Sequence, residues 1–206
     1  MERYMMILKS IKRMNPELEQ ALRDSVYPII IQKHELFQIP FARKEHLYFI
    51  EKGIFRYFFV LNRKEYTLEF KKEDQFIIGL REDDHVHQHV GLGIEALENA
   101  ILWCIPGDLV KRLRENYPRF VFHYHGILSR DFVEWSRAKN CTHPWGYMGN
   151  FHGLRKEFPE LIDRVPIRYL ANFTQIQEKV LLHLLQSNIW LHNALTRHRS
   201  KPKRAK

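Results

Sequence analysis

His85, His87 and His89 recur at every second position of the polar run Arg81-Glu-Asp-Asp-His-Val-His-Gln-His. On an extended segment, side chains two apart project from one face, so three imidazoles would stand together and could hold a divalent metal. A fourth ligand is not visible, and a solvated polar loop is the plainer reading of the three. Cys104 and Cys141 are the only cysteines. Two isolated thiols make neither a disulfide framework nor an iron–sulfur ligand set, and both suit a reducing cytosol. No nucleophile–base constellation and no phosphate-cradling glycine loop stands out elsewhere, so no enzymatic activity is expected.

Charge points to a different chemistry. Of 33 Lys/Arg and 24 Asp/Glu, eleven and four respectively fall from Asn150 onward, so most of the net charge of +9 sits in the last quarter. That imbalance calls for an anionic partner, nucleic acid first. The competing reading is a solubilising tail, because Arg197, Arg199, Lys201, Lys203, Arg204 and Lys206 lie in the last ten residues. No apolar run reaches the ~20 residues that cross a bilayer. Met1 to Arg13 is broken by charges and lacks a small-residue cleavage site, so it does not read as a secretory signal. A cytoplasmic protein with no membrane partner is expected.

The elements that must position these groups centre on Leu47 to Phe76. Leu47-Tyr-Phe-Ile is an aromatic and β-branched strand, Glu51-Lys-Gly53 a turn, Ile54 to Leu61 the return strand, Asn62-Arg63-Lys64 a second turn, and Glu65 to Phe70 a third strand. This predicts two hairpins in a row. Tyr66, Leu68 and Phe70 alternate with Thr67 and Glu69, a period-two pattern that puts the first three on the dry face. Such strands close into a barrel or jelly roll. Before them, Met5, Leu8 and Ile11 mark an amphipathic helix over 2–13. Asn15-Pro16-Glu17 is an N-cap, first-turn proline and acid that start a second helix running to about Asp24. Strands are expected at Ile29–Ile31 and Glu35–Ile39, and after the polar run at Ile94–Leu97 and Ala100–Ile105. Asp108 is placed to cap a helix over Leu109–Asn116. Pro118 restarts the helix, where Val121, Tyr124, Leu128, Phe132 and Trp135 recur at spacings of three and four. That stripe fits either a partner helix or the chain's own barrel. Asn140 to Gly153, with Pro144 and three glycines, is a composition break.

Leu-Tyr-Phe-Ile-Glu-Lys-Gly, the basic turn, Glu65-Tyr-Thr, Phe70 and Ile94-Glu-Ala-Leu-Glu resemble the cyclic-nucleotide-binding-like domain of the Crp/Fnr transcription regulators. The short, wingless members are the most similar, and motif order carries the resemblance over roughly residues 5 to 186. It implies that the long helix pairs with its twin in a homodimer through Val121, Tyr124, Leu128, Phe132 and Trp135. It also implies a phosphate cassette opened by Gly-Glu and closed by Arg-Ser. Gly79 matches the glycine, but Leu80 stands for the acid, Val90 for the arginine and Gly91 for the serine. A buried anion without its cation is costly, so no cyclic nucleotide is expected to bind by the standard mode, and no other cofactor is implied. Gly79 followed by His85-x-His87 echoes the first cupin motif as well, but Gly91 and Leu92 stand where its glutamate belongs.

Tyr169-Leu-Ala-Asn-Phe173 and Ile176 align with the family's helix-turn-helix, with Thr174-Gln175 in place of the usual Leu-Gly at the corner. In the following helix only Leu181 matches; Leu182 replaces a serine, and His183 and Leu185 replace arginines. Val180, Leu181, Leu182, Leu184 and Leu185 read as a helix that would rather be buried. Arg164, Arg168, Lys179 and His183 are the candidate DNA contacts, largely to phosphates. The resemblance also makes RNA polymerase a candidate partner.

The expected chain is therefore α+β. It has an antiparallel β-barrel or jelly roll over 1–117, a long dimerising helix over 118–140, and a small helix-turn-helix-like module with a basic tail over 141–206. Its expected role is DNA-binding transcription regulation with doubtful sequence specificity. The alternatives are a protein-interaction module on the same scaffold and, third, a metal-binding cupin-like protein.

Overall fold

Leu47, Tyr48, Phe49 and Ile50 are all buried, which requires packing against both faces of their strand. The computed structural model provides both. It describes residues 1–37, 46–78, 91–142 and 146–187, with backbone alone at 91 and 92. The chain divides into two compact units, Met1–Ala138 and Lys139–Lys206.

The first unit runs α1 (Glu2–Ile11), α2 (Pro16–Ser25), β1 (Tyr27–Ile31), β2 (Leu47–Lys52), β3 (Phe55–Leu61), β4 (Lys64–Lys71), β5 (Phe76–Ile78), β6 (Gly91–Ala96), β7 (Ala100–Ile105), α3 (Gly107–Asn116) and most of α4 (Phe120–Asn140). One antiparallel sheet has the order β1-β7-β2-β5 and the other β4-β3-β6. Leu47 and Phe49 face α1 to α4, in a core with Tyr4, Leu8, Leu18, Leu22, Leu109, Phe120 and Ile127. Tyr48 and Ile50 point the other way, into a second core with Phe55, Tyr57, Ile94, Ala96 and Leu102 between the sheets. Asn15 caps α2 as the sequence indicates, its side chain accepting from Leu18 N–H at 3.3 Å, with Pro16 in the first turn.

Four expectations need correction. β2 and β3 do not form a hairpin: β2 pairs with β5 and β7, while β3 pairs with β4 and β6. Gly53 is instead the corner where the chain passes from one sheet to the other. It has φ +104°, and an added Cβ would lie 2.7 Å from the Ala100 Cβ. The β3–β4 hairpin is real. Leu61 pairs with Lys64 across Asn62 and Arg63, both at positive φ, which is the two-residue turn whose twist suits paired strands.

The dry-face alternation of β4 is also broken. The β3–β4 register shifts between Tyr57 and Phe58, leaving Leu68 as the extra residue. Phe70 stays buried, but beyond the bulge Thr67 is buried and Tyr66 exposed, stacked on Phe59 at 5.0 Å. Asp108 does not cap α3. The helix starts at Gly107 after Pro106, and Asp108 lies in its first turn. Of the strand expected over Glu35–Ile39, Leu36 makes one isolated bridge to Glu95, and residues 38–45 lie outside the described set.

Candidate nucleic-acid interface

In the second unit the glycine-bearing stretch read as a break is largely helical. The unit contains α5 (Gly146–Glu157), α6 (Leu161–Arg164) and α7 (Ile167–Thr174), and residues 178–187 form a further helix, α8. Phe151, Leu154, Phe158, Leu161, Leu170, Phe173, Ile176 and Leu181 make its core. No strand occurs among the described residues of this unit. Pro166 sits just before α7, where its missing N–H costs nothing.

The corner between α7 and α8 lacks glycine, yet takes the conformation glycine favours. Gln175 is left-handed, at φ +56° and ψ 28°. Its N–H donates to Asn172 O at 3.4 Å and that of Ile176 to Ala171 O at 3.1 Å, the paired closure of a Schellman motif. Ile176 is buried, supplying the apolar contact that accompanies this closure.

The run Val180 to Leu185 is not uniformly buried, contrary to expectation. Leu181 is fully buried, but Val180 is 37% and Leu182 46% exposed, and Leu184 and Leu185 are half-buried. At 3.6 residues per turn, an apolar run this dense covers most of the circumference, and a small core can take only one side. Glu178, Lys179, His183 and Gln186 join Leu182 in facing outward. The structure thus brings Lys179 and His183 to one face, a turn apart. Arg168 is exposed near the start of α7. Its guanidinium lies 4.6 Å from the Tyr169 ring centroid and donates to the Tyr169 hydroxyl at 2.9 Å. Arg164 ends α6, half-buried.

In the first unit, α4 presents Phe120, His123 and Ile127 to the core. The stripe lies to the side of that buried face. Val121, Tyr124 and Leu128 are half-buried, while Phe132 and Trp135 are 66% and 45% exposed, their rings stacked at 6.1 Å. His123 Nδ1 lies 3.1 Å from Leu8 O, so the proton belongs on that nitrogen. Burial holds its pKa below the ordinary histidine value, partly offset by this bond.

The cassette positions Gly79, Leu80 and Val90, and His85, His87 and His89, lie outside the described residues; Gly91 heads β6 opposite Val60. Among the described residues no cluster of His, Cys, Asp or Glu is placed to hold a metal, and no helix is long and apolar enough to cross a membrane.

Two buried cations were not anticipated. Arg56 pairs with Glu65 and with Glu95 (3.5 Å), and stacks 4.2 Å from the Phe58 ring centroid. Lys71 pairs with Asp131 of α4 and lies 3.6 Å from Glu69 and 5.8 Å from the Tyr57 ring centroid. Burial, then the charges of Glu69 and Asp131, raise the Tyr57 pKa well above normal. The available signal was a lone charge within the aromatic run Phe55-Arg-Tyr-Phe-Phe59.

No protein-family model and no curated protein matches the sequence. Solved structures do. A Eubacterium rectale protein assigned to the Crp/Fnr family of transcriptional regulators aligns over 84% of this chain and 83% of its own, at TM-score 0.60 and 14% identity. FixK2 from Bradyrhizobium japonicum gives 82%, 85%, 0.62 and 10%. The c-di-GMP-responsive global regulator CLP of Xanthomonas campestris gives 84%, 93%, 0.59 and 11%. At these identities the likeness is one of fold, and the fold is that of the Crp/Fnr regulators.

Proposed function

From the Crp/Fnr fold as premise, we propose that this chain is a DNA-binding transcription regulator that works as a homodimer. The observation that carries the reading is the helix-turn-helix geometry of the second unit: α7 closed at a left-handed Gln175, with Leu181 anchoring α8 so that Lys179 and His183 face outward. The cationic surplus after Asn150 supplies attraction to phosphate. Fluorescence anisotropy with duplex DNA at stepped salt tests it: binding that weakens with salt is expected, and no binding at low salt refutes it. Selection from random duplexes then asks for sequence preference.

A second reading has an observation behind it. Leu182 stands on the outward face of α8, where an apolar side chain suits a protein partner. Binding to any duplex alike, abolished by salt and by deletion of residues 197–206, would favour that reading; a retained operator preference favours the regulator.

The cassette positions carry no arginine, so calorimetric titration with cyclic AMP and cyclic GMP is expected to show no micromolar binding.

A further inference from the structure

The last carbonyls of an α-helix have no partner within the helix, and a buried one must find a donor elsewhere. Thr174 ends α7 and is fully buried. Its carbonyl accepts from Asn150 Nδ2 at 2.9 Å, across 24 residues of sequence from α5. The Thr174 hydroxyl is turned back along its own helix, donating to Leu170 O at 2.7 Å. Asn150 is itself 6% exposed. An apolar side chain there would fill the space but leave the carbonyl unsatisfied.

The next residue is the left-handed Gln175, whose β-carbon disfavours the conformation it holds. The Asn150 bond therefore falls at the point where the chain leaves α7 for α8. The far end of this arrangement is also fixed. Gly153, one turn along α5, lies so close to the chain at Asn140 that an added Cβ would sit 2.6 Å from the Asn140 carbonyl oxygen.

We propose that Asn150 is a positioning residue for the DNA-binding module: its amide holds the Thr174 carbonyl and, through it, the left-handed turn that aims Lys179 and His183. This rests on the DNA-binding reading above. The test uses the full chain, with N150A alone and combined with Q175G. One readout is amide hydrogen exchange at Gln175 and Ile176; the other is duplex affinity at fixed low salt.

N150A is expected to speed exchange at those two amides about tenfold relative to the rest of the unit, and to weaken DNA binding about tenfold. Adding Q175G is expected to restore both, because glycine holds the left-handed conformation unaided. A residue that only filled space would not be rescued at the turn. If N150A does not fold, N150L fills the side-chain space while removing the donating nitrogen, and the same pattern is expected. Exchange and affinity like the wild type in the single variant overturn the proposal, as does failure of Q175G to recover them. Wild-type protein that binds no duplex removes the DNA reading instead, and the exchange arm still decides whether Asn150 holds the turn.

Discussion

Gln175 sits at a position where local preference and tertiary packing disagree, and packing wins. A left-handed L-residue costs on the order of 1 kcal/mol that glycine does not incur. The buried Ile176 and the backbone bonds back to Ala171 and Asn172 hold it there. Q175G is therefore expected to raise the unfolding free energy of the second unit by about 1 kcal/mol, read by denaturation followed at signals within that unit. His123 offers a second prediction at this scale. Its folded pKa is depressed by burial, so the unfolded chain takes up a proton near the ordinary ~6.5 while the folded chain does not. Stability is full above that pH and falls as the pH drops from there through the depressed folded value, by at most about 1.4 kcal/mol per pH unit. In H123N the amide can still donate to Leu8 O but does not titrate. Its melting temperature is expected to lose that part of the pH dependence below about 6.5. The burial of Arg56 and Lys71 was not readable from the sequence for a related reason: part of what makes each charge tolerable in a core is an acid far along the chain, Glu95 for Arg56 and Asp131 for Lys71.

At the scale of elements, turn chemistry was readable and pairing was not. Asn15-Pro16 starts a helix through the Asn15 side chain and Asn62-Arg63 closes a hairpin through its positive-φ backbone, both local effects. Glu51-Lys-Gly53 has the composition of the same kind of turn, yet β2 joins β5 and β7 because the buried faces of β2 match those strands. The helix α4 turns Phe120, His123 and Ile127 inward, while Phe132 and Trp135 stay 66% and 45% exposed, on the side where the proposed homodimer would form. Wild-type protein is expected to show a dimer mass by light scattering, and the double substitution F132E/W135E a monomer. Desolvating two carboxylates there would raise the dissociation constant about a hundredfold or more. A monomeric wild type would refute this use of the helix.

At the scale of the whole molecule, charge is segregated along the sequence, with the cationic excess after Asn150 and six Lys/Arg in the last ten residues. Each phosphate contact contributes roughly −0.9 to the slope of log affinity against log salt. Deleting residues 197–206 is expected to flatten that slope by up to about five, while a sequence preference held by α8 would persist. Unchanged slopes would show that the tail makes no phosphate contact. The sequence alone was sufficient for the α+β class and for most of the elements. Periodicity, caps and turns act across a few residues. Only the tertiary structure decided that β2 and β3 belong to different sheets, that Phe120 and Ile127 of α4 turn in while Phe132 stays exposed, and that Leu181 turns in while Val180 and Leu182 turn out. Those outcomes depend on competition for a limited buried volume among residues far apart in the chain, which no local pattern encodes.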